Sequence, residues 1–483
     1  MENRRSFVKK LGWTAGAVSL LGLYPAFGWS PIIERKNPIR IKGRVATNGK
    51  GIGNVVVSDG NTTGLTNKNG YFEFLSTTHQ PFVFLSMPTG YEIDQLGNGS
   101  ASYFFPIDPV NHKMEVLFQL KPLGQSDDKH SLLLLADPQI QNEYEAAQLL
   151  EISTPDIVDT IKSLNDPNTI GVGCGDLVFD RLDLFKDYNN AVMQMGVPFF
   201  QVVGNHDMDL GVRSDELSTS TFNKLFGPTY YSFNRGEIHY VVLDDVFFTG
   251  NNKEYIGYIT ENQLIWLEQD LGHIEKGSTV VVCTHIPVAS GVKNKEHLYE
   301  LLAPFKVHIL SGHTHRNTNY PDSNRFEHVH GAVCGAWWSG PICSDGTPNG
   351  YGVYQMRGSE VTWKYKSVGE SMDHQFRFYK RGSHPEFPNS CALNIWNWNP
   401  DWKICWYENG DCKSHIHKVD ATDPMSIELH LGKLLPERRP WVEPAKSDHM
   451  FFFEPGENLD KITVEVTDNF GNTYIQTIKS EDM

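Results

Sequence analysis

The sequence has little of three things: paired cysteines, positive charge and long apolar runs. Its seven cysteines, spread over 483 residues, form no Cys-x-x-Cys pair, which argues against a thiolate zinc site. Forty-two Lys and Arg stand against 58 Asp and Glu, for a formal net charge of -16. Nucleic acid is therefore not expected as a stable partner, because phosphate backbones bind basic surfaces. Beyond residue 30 no stretch is apolar enough to span a membrane, so no stable span is expected once that N-terminal segment is removed.

Residues 1–30 have the outline of an export signal. Arg4 and Arg5 precede a mildly apolar run from Leu11 to Phe27, and a small-x-small cleavage pattern ends at Gly28. The paired arginines resemble the twin-arginine class of signals. An uncleaved N-terminal anchor is the alternative, although the run is barely long enough for one. The sequence therefore predicts export to the periplasm or the cell exterior.

Turn spacing and composition predict three domains after this segment. In residues 36–123, short β-branched runs alternate with Asn-Gly and Asp-Gly turns, which predicts a small β-sandwich. It resembles the carboxypeptidase regulatory-like module, a spacer domain. Residues 128–335 alternate strands and helices, which predicts a layered α/β domain. Residues 336–483 are rich in aromatic strands, which predicts a mainly β domain.

Polar side chains follow five predicted strands of the middle domain, at the point where each strand ends. The runs "SLLLL", "GVGC", "FFQVV", "TVVVCT" and "VHILS" each lead into carboxylate, amide or imidazole. We expect these side chains to meet at one edge of one sheet, where α/β folds bind ligands. One polar strand end is more often a helix cap, but five in order indicate divalent metal ligands, which must converge on one point. The residues are Asp137, Gln139, Asp176, Asp180, Asn205, His206, Asp207, His285, His313 and His315.

This set resembles the motifs of the calcineurin-like metallophosphoesterases, in their order and approximate spacing. The resemblance implies an α/β fold, a layered β-sandwich flanked by helices, and a site for two divalent metal ions, Mn, Fe, Mg or Zn. In the family's pattern, Asp137 and His315 bind the first metal and Asp176 bridges both. The pattern also implies that Asn205, His285 and His313 bind the second, and that His206 stands beside the leaving group as a general acid. The implied reaction is hydrolysis of a phosphate ester by a hydroxide shared between the metals.

Gln139 departs from this pattern, because most of the family has histidine there. Either the first metal site is damaged or the amide oxygen takes the place of the imidazole. We favour substitution, since an amide oxygen is a neutral acceptor that can bind a hard cation. Loss of one imidazole should shift the first site from zinc towards manganese, magnesium or iron.

A second departure concerns the carboxylate that orients the catalytic histidine. In protein phosphatases of this family it lies three residues after the bridging aspartate, whereas Asp180 lies four residues after Asp176. Asp207 is therefore an alternative orienting residue for His206.

Trp337 and Trp338 follow the last ligands by about twenty residues. They are candidates for a substrate-binding wall at the domain junction, or equally for an interdomain core.

Two functions remain open for the whole chain. The first is an exported metal-dependent phosphoesterase acting on a small phosphate ester, which could be a monoester, a diester or a nucleotide diphosphate. The alternative is a non-catalytic surface module that binds glycan or protein and keeps a phosphoesterase scaffold. The retained ligand set favours the enzyme.

Overall fold

The computed structural model describes residues 38–77, 80–108, 110, 112–413, 415–457 and 459–479. The predicted export signal lies outside these residues. Within the described part of the chain, no helix is both long and apolar enough to cross a bilayer.

The N-terminal domain is a sandwich of two four-stranded sheets, as the turn spacing predicts. Alternate residues of its first strand are buried, with Ile39 and Ile41 inside and Arg40 and Lys42 outside. One sheet contains Lys50–Gly51, Ile39–Thr47, Tyr71–Ser76 and Lys113–Gln119. The other contains Thr63–Leu65, Val56–Ser58, Phe82–Leu85 and Phe104–Pro106.

The middle domain is built on two sheets, which confirms the predicted layered α/β architecture. In spatial order, the first sheet is Phe199–Val202, Ile170–Cys174, Lys129–Leu135, Gly350–Arg357 and Glu360–Ser367. The second is Tyr231–Arg235, Ile238–Val242, Thr279–Cys283, Lys306–Ser311, Arg325–Val329 and Thr318–Pro321. A separate ribbon pairs Val246–Phe248 with Tyr255–Gly257.

The polar strand ends thus come from two sheets, and the expectation of one edge of one sheet is wrong. Three strands of the first sheet and two of the second deliver them. The sequence of a strand shows that it is buried but not which strands it pairs with. The sequence pattern therefore does not distinguish strands of one sheet from strands of two.

Most of the helices connect these strands, and one helical segment is interrupted. Residues 143–164 are divided by a π-helical turn, Leu149–Ser153, just before Pro155. Leu149 O accepts the Thr154 backbone N–H, the i to i−5 bond of a π turn, and also the Thr154 hydroxyl at 2.7 Å. The α-helices are Glu143–Gln148, Thr154–Leu164, Phe185–Met195, Asp215–Ser218, Ser220–Phe226, Glu261–Leu271, Val288–Gly291, Lys295–Leu302 and Pro424–Leu431, with a 3₁₀ turn at Leu182–Leu184.

The C-terminal domain is a second sandwich of two four-stranded sheets. Its first sheet is Arg377–Tyr379, Cys391–Asn394, Lys446–Phe453 and His417–Thr422. Its second sheet is Asp411–Lys413, Lys403–Glu408, Lys461–Thr467 and Thr473–Lys479.

The predicted boundary between residues 335 and 336 does not coincide with a boundary between sheets. The hairpin of Gly350–Arg357 and Glu360–Ser367 pairs with Lys129–Leu135 and completes the first sheet of the middle domain. The sequence of a hairpin does not show which sheet it extends, so this boundary cannot be read from the strand pattern.

Candidate metal centre

The buried strand Lys129–Leu135 ends in two side chains that point into the centre. Asp137 and Gln139 are 0% and 2% exposed, and both have positive φ, at 48° and 42°. The Asp137 carboxylate accepts the His313 backbone N–H through Oδ2 at 2.8 Å. Its other oxygen, Oδ1, and the Gln139 Oε1 are buried acceptors without a hydrogen-bond partner. Unpartnered buried oxygens are costly, so this pair is arranged for a cation.

Asp176 lies at the middle of the cluster. Its Oδ2 accepts the Gln139 Nε2–H at 2.9 Å, and its Oδ1 lies 3.3 Å from His285 Nε2. The same Oδ1 accepts the His206 backbone N–H at 2.9 Å. One carboxylate therefore faces the Asp137 side of the cluster through one oxygen and the His285 side through the other.

Asn205, His285 and His313 form the second side of the cluster. His285 Nε2 lies 3.1 Å from both Asn205 Oδ1 and His313 Nδ1. One ligand atom each of Asp176, His285 and His313 lies within 4.8 Å of the others. This side brings together carboxylate, amide oxygen and imidazole, the donor set expected from the sequence.

Backbone carbonyls fix the orientation of two of the imidazoles. His285 Nδ1 donates to Cys174 O at 3.0 Å, and His315 Nδ1 donates to Gly335 O at 2.6 Å. In each ring the opposite nitrogen, Nε2, then faces the cluster, with that of His315 lying 3.6 Å from Asp137 Oδ1. Metal-binding histidines are commonly held in this way.

Charges in the cluster favour a cation. Burial would lower the pKa of His285, but the carboxylates of Asp176 and Asp137 raise it to about 10. Burial raises the pKa of Asp137 to about 8, with the nearby Asp176 adding to the effect and His285 opposing it. Burial also lowers the pKa of His313 to about 3 and that of His315 to about 4, which keeps both imidazoles neutral. The carboxylates attract a positive charge to His285, which a bound divalent ion would supply in place of the proton, and the other two imidazoles are already in the neutral form that binds metals.

Backbone strain is concentrated at this centre. Among the described residues, 14 non-glycine residues have positive φ, and five of these are asparagines, which tolerate that conformation. The other nine all belong to the centre or its surroundings. They are Asp137, Gln139, Asp176, Asp180, His313, His315, Trp337, Trp338 and Arg439. Such strain costs of order 1–3 kcal/mol per residue and typically marks functional sites.

Gly204 and Gly312 let the backbone pass close to the carboxylates. A Cβ on Gly204 would lie 2.0 Å from the Asp176 backbone nitrogen, and one on Gly312 would lie 2.4 Å from Asp137 Oδ2. Both distances are too short for a side chain. Glycine is therefore required at these positions because the backbone packs closely, and not because φ is positive.

His206 lies beside the cluster, and Asp180 orients it. The His206 Nδ1 lies 2.7 Å from Asp180 Oδ1, and its ring stacks on Phe179 at 4.1 Å. Lys253 pairs with the other oxygen of Asp180. Burial would lower the pKa of His206, but Asp176 and Asp180 raise it above its usual value. Asp180 itself has a positive φ, 56°.

Asp207 is not the orienting residue, which corrects that alternative. Its carboxylate accepts the backbone N–H groups of Val178 at 3.1 Å and Gly204 at 2.9 Å. It therefore joins the loops that carry Asp176 and Asn205, and is fully buried.

The two neighbouring tryptophans have different positions. Trp337 stacks on His315, with ring centroids 4.2 Å apart, and is only partly buried. Trp338 is 7% exposed, belongs to a core cluster and donates its indole N–H to Pro138 O at 3.1 Å. The assignment of Trp338 to a substrate wall is therefore corrected to a core residue under the Asp137 loop, whereas Trp337 stays a candidate.

Sequence reasoning missed Asp245. This buried carboxylate accepts the backbone N–H groups of His285 and Ile286 through Oδ1, both at 3.1 Å. It thereby holds the turn that carries the ligand His285. The signal was an acidic pair, Asp244 and Asp245, directly after the strand Ile238–Val242.

Family comparisons cover most of the chain. The N terminal of Calcineurin-like phosphoesterase matches residues 39–123, and Calcineurin-like phosphoesterase matches residues 130–317. The C terminal of Calcineurin-like phosphoesterase matches residues 327–474.

Curated relatives match less than half of the chain. Purple acid phosphatase 15 of Arabidopsis thaliana is 27% identical over 235 residues, which is 44% of this chain and 38% of the relative. The human serine/threonine-protein phosphatase CPPED1 is 24% identical over 242 residues, 45% of this chain and 73% of the relative. The chain thus spans well under half the length of the plant relative.

Among solved structures, the purple acid phosphatase PPD1 of yellow lupin (Lupinus luteus) is 14% identical with a TM-score of 0.38, covering 69% of this chain and 72% of that one. A dimetal phosphatase from Danio rerio is 17% identical with a TM-score of 0.37, covering 49% and 96%.

Proposed function

Because the chain belongs to the calcineurin-like phosphoesterase family, we propose that it hydrolyses a small phosphate ester with two divalent metal ions. The observation that carries the proposal is the pair of unpartnered buried oxygens, Asp137 Oδ1 and Gln139 Oε1, beside a carboxylate that faces both sides of the cluster. Retention of the whole ligand set also favours an enzyme over a binding module.

Seven side chains would hold the ions. Asp137, Gln139 and His315 would bind the first, Asn205, His285 and His313 the second, and Asp176 both. Bound ions of this kind polarise the phosphoryl group and supply a nucleophile near neutral pH. Gln139 supplies an uncharged oxygen, so the first site favours Mn, Mg or Fe over Zn.

His206 supplies the proton to the departing oxygen. Its raised pKa favours the protonated imidazole, and Asp180 fixes the ring so that Nε2 is the nitrogen left to donate. Phe179 covers one face of the ring. A positioned acid is worth about 10²–10⁴-fold for a poor leaving group.

The test compares His206→Ala, His285→Ala and Asp176→Asn by metal content and by kcat/KM on an alkyl and an aryl phosphate. His285→Ala and Asp176→Asn should lose metal and fail on both esters alike. His206→Ala should keep its metal and lose far more on the alkyl ester, since a nitrophenolate leaves without a proton. Metal loss in His206→Ala, or equal loss on both esters, would overturn the role given to His206.

A substrate panel tests the enzyme against the binding module. Purified protein with added manganese should turn over at least one of a phosphomonoester, a phosphodiester and a nucleotide diphosphate. Full metal content with no turnover of any class would favour the non-catalytic surface module.

We also propose that the protein is exported by the twin-arginine route. The support is the pair Arg4 and Arg5 before a mild apolar run. Replacing both arginines with lysine should leave the protein in the cytoplasm with its signal uncleaved, as fractionation and N-terminal sequencing would show. Unchanged export of the double variant would exclude this route.

A further inference from the structure

A segment of the C-terminal domain reaches the metal centre of the middle domain. It connects the helix Pro424–Leu431 to the strand Lys446–Phe453 and contains Arg439 and Trp441. These two residues, only two positions apart, contact aromatic rings that stack on two histidines of the candidate centre, His315 and His206.

Trp441 is connected to the ligand His315 through one aromatic ring. Its centroid lies 4.9 Å from that of Trp337, at an interplanar angle of 53°, and Trp337 stacks on His315. Trp441 is 56% exposed. The two indoles therefore do not cover each other's faces, and a large part of the outer one remains accessible beside the metal ligands.

Arg439 is connected to His206 in the same way. Its guanidinium lies 5.4 Å from the ring centroid of Phe179, the ring on which His206 stacks. The Arg439 Nη2 also donates to Gln141 Oε1 at 2.9 Å and to Glu145 Oε1 at 2.8 Å. Glu145 is 1% exposed, so this ion pair anchors the segment to the chain that directly follows Gln139.

We propose that Trp441 and Trp337 form a stacking platform for a planar ring in the organic part of the substrate, as in a nucleotide or an aryl phosphate. The proposal rests on the phosphoesterase function and adds a substrate class to it. Accessible indole faces bind planar rings by stacking. Stacking uses the face of the ring, so it tolerates different polar groups at the ring's edge. The platform adjoins His315, so a ring bound there would be attached to a phosphate held at the metal centre. Arg439 is the positioning residue that keeps Trp441 in place.

Substrate pairs that differ only in the ring test the platform. For monoesters the pair is adenosine 5′-monophosphate and ribose 5-phosphate. For diesters it is thymidine 5′-(p-nitrophenyl phosphate) and methyl p-nitrophenyl phosphate. The variants are Trp441→Ala, Trp441→Phe and Arg439→Ala, with Leu434→Ala as the control because Leu434 is 89% exposed in the same segment.

Trp441→Ala should lower kcat/KM about tenfold on the ring-bearing substrate, mainly by raising KM. On the ring-free substrate of the same pair, kcat/KM should fall less than twofold. Trp441→Phe should retain most of the ring preference. Arg439→Ala should show the same selective loss with unchanged metal content, and Leu434→Ala should behave as wild type. Equal loss on both substrates, no loss in Trp441→Ala, or a wild-type preference for the ring-free substrate would overturn the platform.

Binding separates this proposal from the phosphoesterase function itself. Quenching of tryptophan fluorescence by adenosine 5′-monophosphate, against ribose 5-phosphate, reports on the platform without turnover. If wild type turns over neither substrate pair nor a nucleotide diphosphate, the phosphoesterase function fails, while selective quenching that Trp441→Ala abolishes would still support the platform. Equal quenching by both ligands, or none, would overturn the platform whatever the activity.

Discussion

Asp180 Oδ1 lies 2.7 Å from His206 Nδ1, although Asp180 follows Asp176 by one residue more than the spacing seen in protein phosphatases of the family. The contact raises the pKa of His206 and lowers that of Asp180, the latter also through Lys253. The pair therefore favours the protonated form of an imidazole that lies beside the candidate metal ligands.

Asp180→Asn should weaken this acid without emptying the metal site. Loss of the carboxylate lowers the pKa of His206, so the proton is lost at lower pH and the alkaline fall in kcat/KM should move to lower pH. We expect about a tenfold to hundredfold loss on an alkyl phosphate, a smaller loss on a nitrophenyl ester and unchanged metal content. An unshifted pH profile would contradict the orienting role.

Asp207→Asn is the matched comparison and should act on folding. The substitution replaces one carboxylate oxygen by an NH₂ group, which then faces a backbone N–H, either that of Val178 or that of Gly204. We expect the free energy of unfolding to fall by about 1–3 kcal/mol, because a buried donor is left unsatisfied, and the melting temperature to fall with it. A wild-type melting temperature would show that these two contacts contribute nothing.

Gln139→Ala should lower both metal content and activity, since the unpartnered Oε1 is the atom proposed to bind the first ion. Gln139→His should restore metal binding and shift preference towards zinc. Gln194→Ala, an exposed position on the helix Phe185–Met195, is the control. Elemental analysis after dialysis gives the answer, and full metal content in Gln139→Ala would exclude the amide as a ligand.

Gly204→Ala should disrupt the centre, because the added Cβ would lie 2.0 Å from the Asp176 backbone nitrogen. The Asp176 and Asn205 loops would have to separate, so metal content and activity should fall together. Gly211→Ala is the control, since a Cβ there would meet no heavy atom within 4 Å. Equal metal content in the two variants would show that the loops can move apart without cost.

Acid should destabilise the middle domain because three histidines resist protonation in the folded state. Two lie on strands of the second sheet and the third directly follows one of them. Burial, with nearby His308 and His330 adding to it, lowers the pKa of His328 well below its usual value. Burial lowers the pKa of His308 to about 4 and that of His330 to about 3. These groups are neutral when folded but bind protons in the unfolded chain below about pH 6.5, so the free energy of unfolding should fall as pH drops from there towards 4.

His328→Phe tests this expectation. The ring would keep its contacts with Phe326 and Trp363, at centroid distances of 4.3 and 4.5 Å, while one proton-binding group is removed. Urea unfolding between pH 7.5 and 4.5 should show a shallower decline, by about 1.4 kcal/mol per pH unit at most. An unchanged slope would contradict the assignment, whatever the variant's absolute stability.

By itself the sequence determined which side chains are candidate metal ligands and their order along the chain, and it predicted an α/β domain between two β domains. Asp137, Asp176 and His285 each follow a short buried strand, and a strand with its following turn is encoded by neighbouring residues. Local patterns of this kind can be recognised in the sequence without any knowledge of the fold.

Only the tertiary structure decided how these pieces meet. The ligands come from two sheets, Asp180 rather than Asp207 orients His206, and Trp337 faces the centre while Trp338 is buried. Trp441 lies about a hundred residues after Trp337 in the chain but contacts its ring. Such contacts depend on strand pairing and domain packing between distant segments, and local sequence patterns carry no information about those distances.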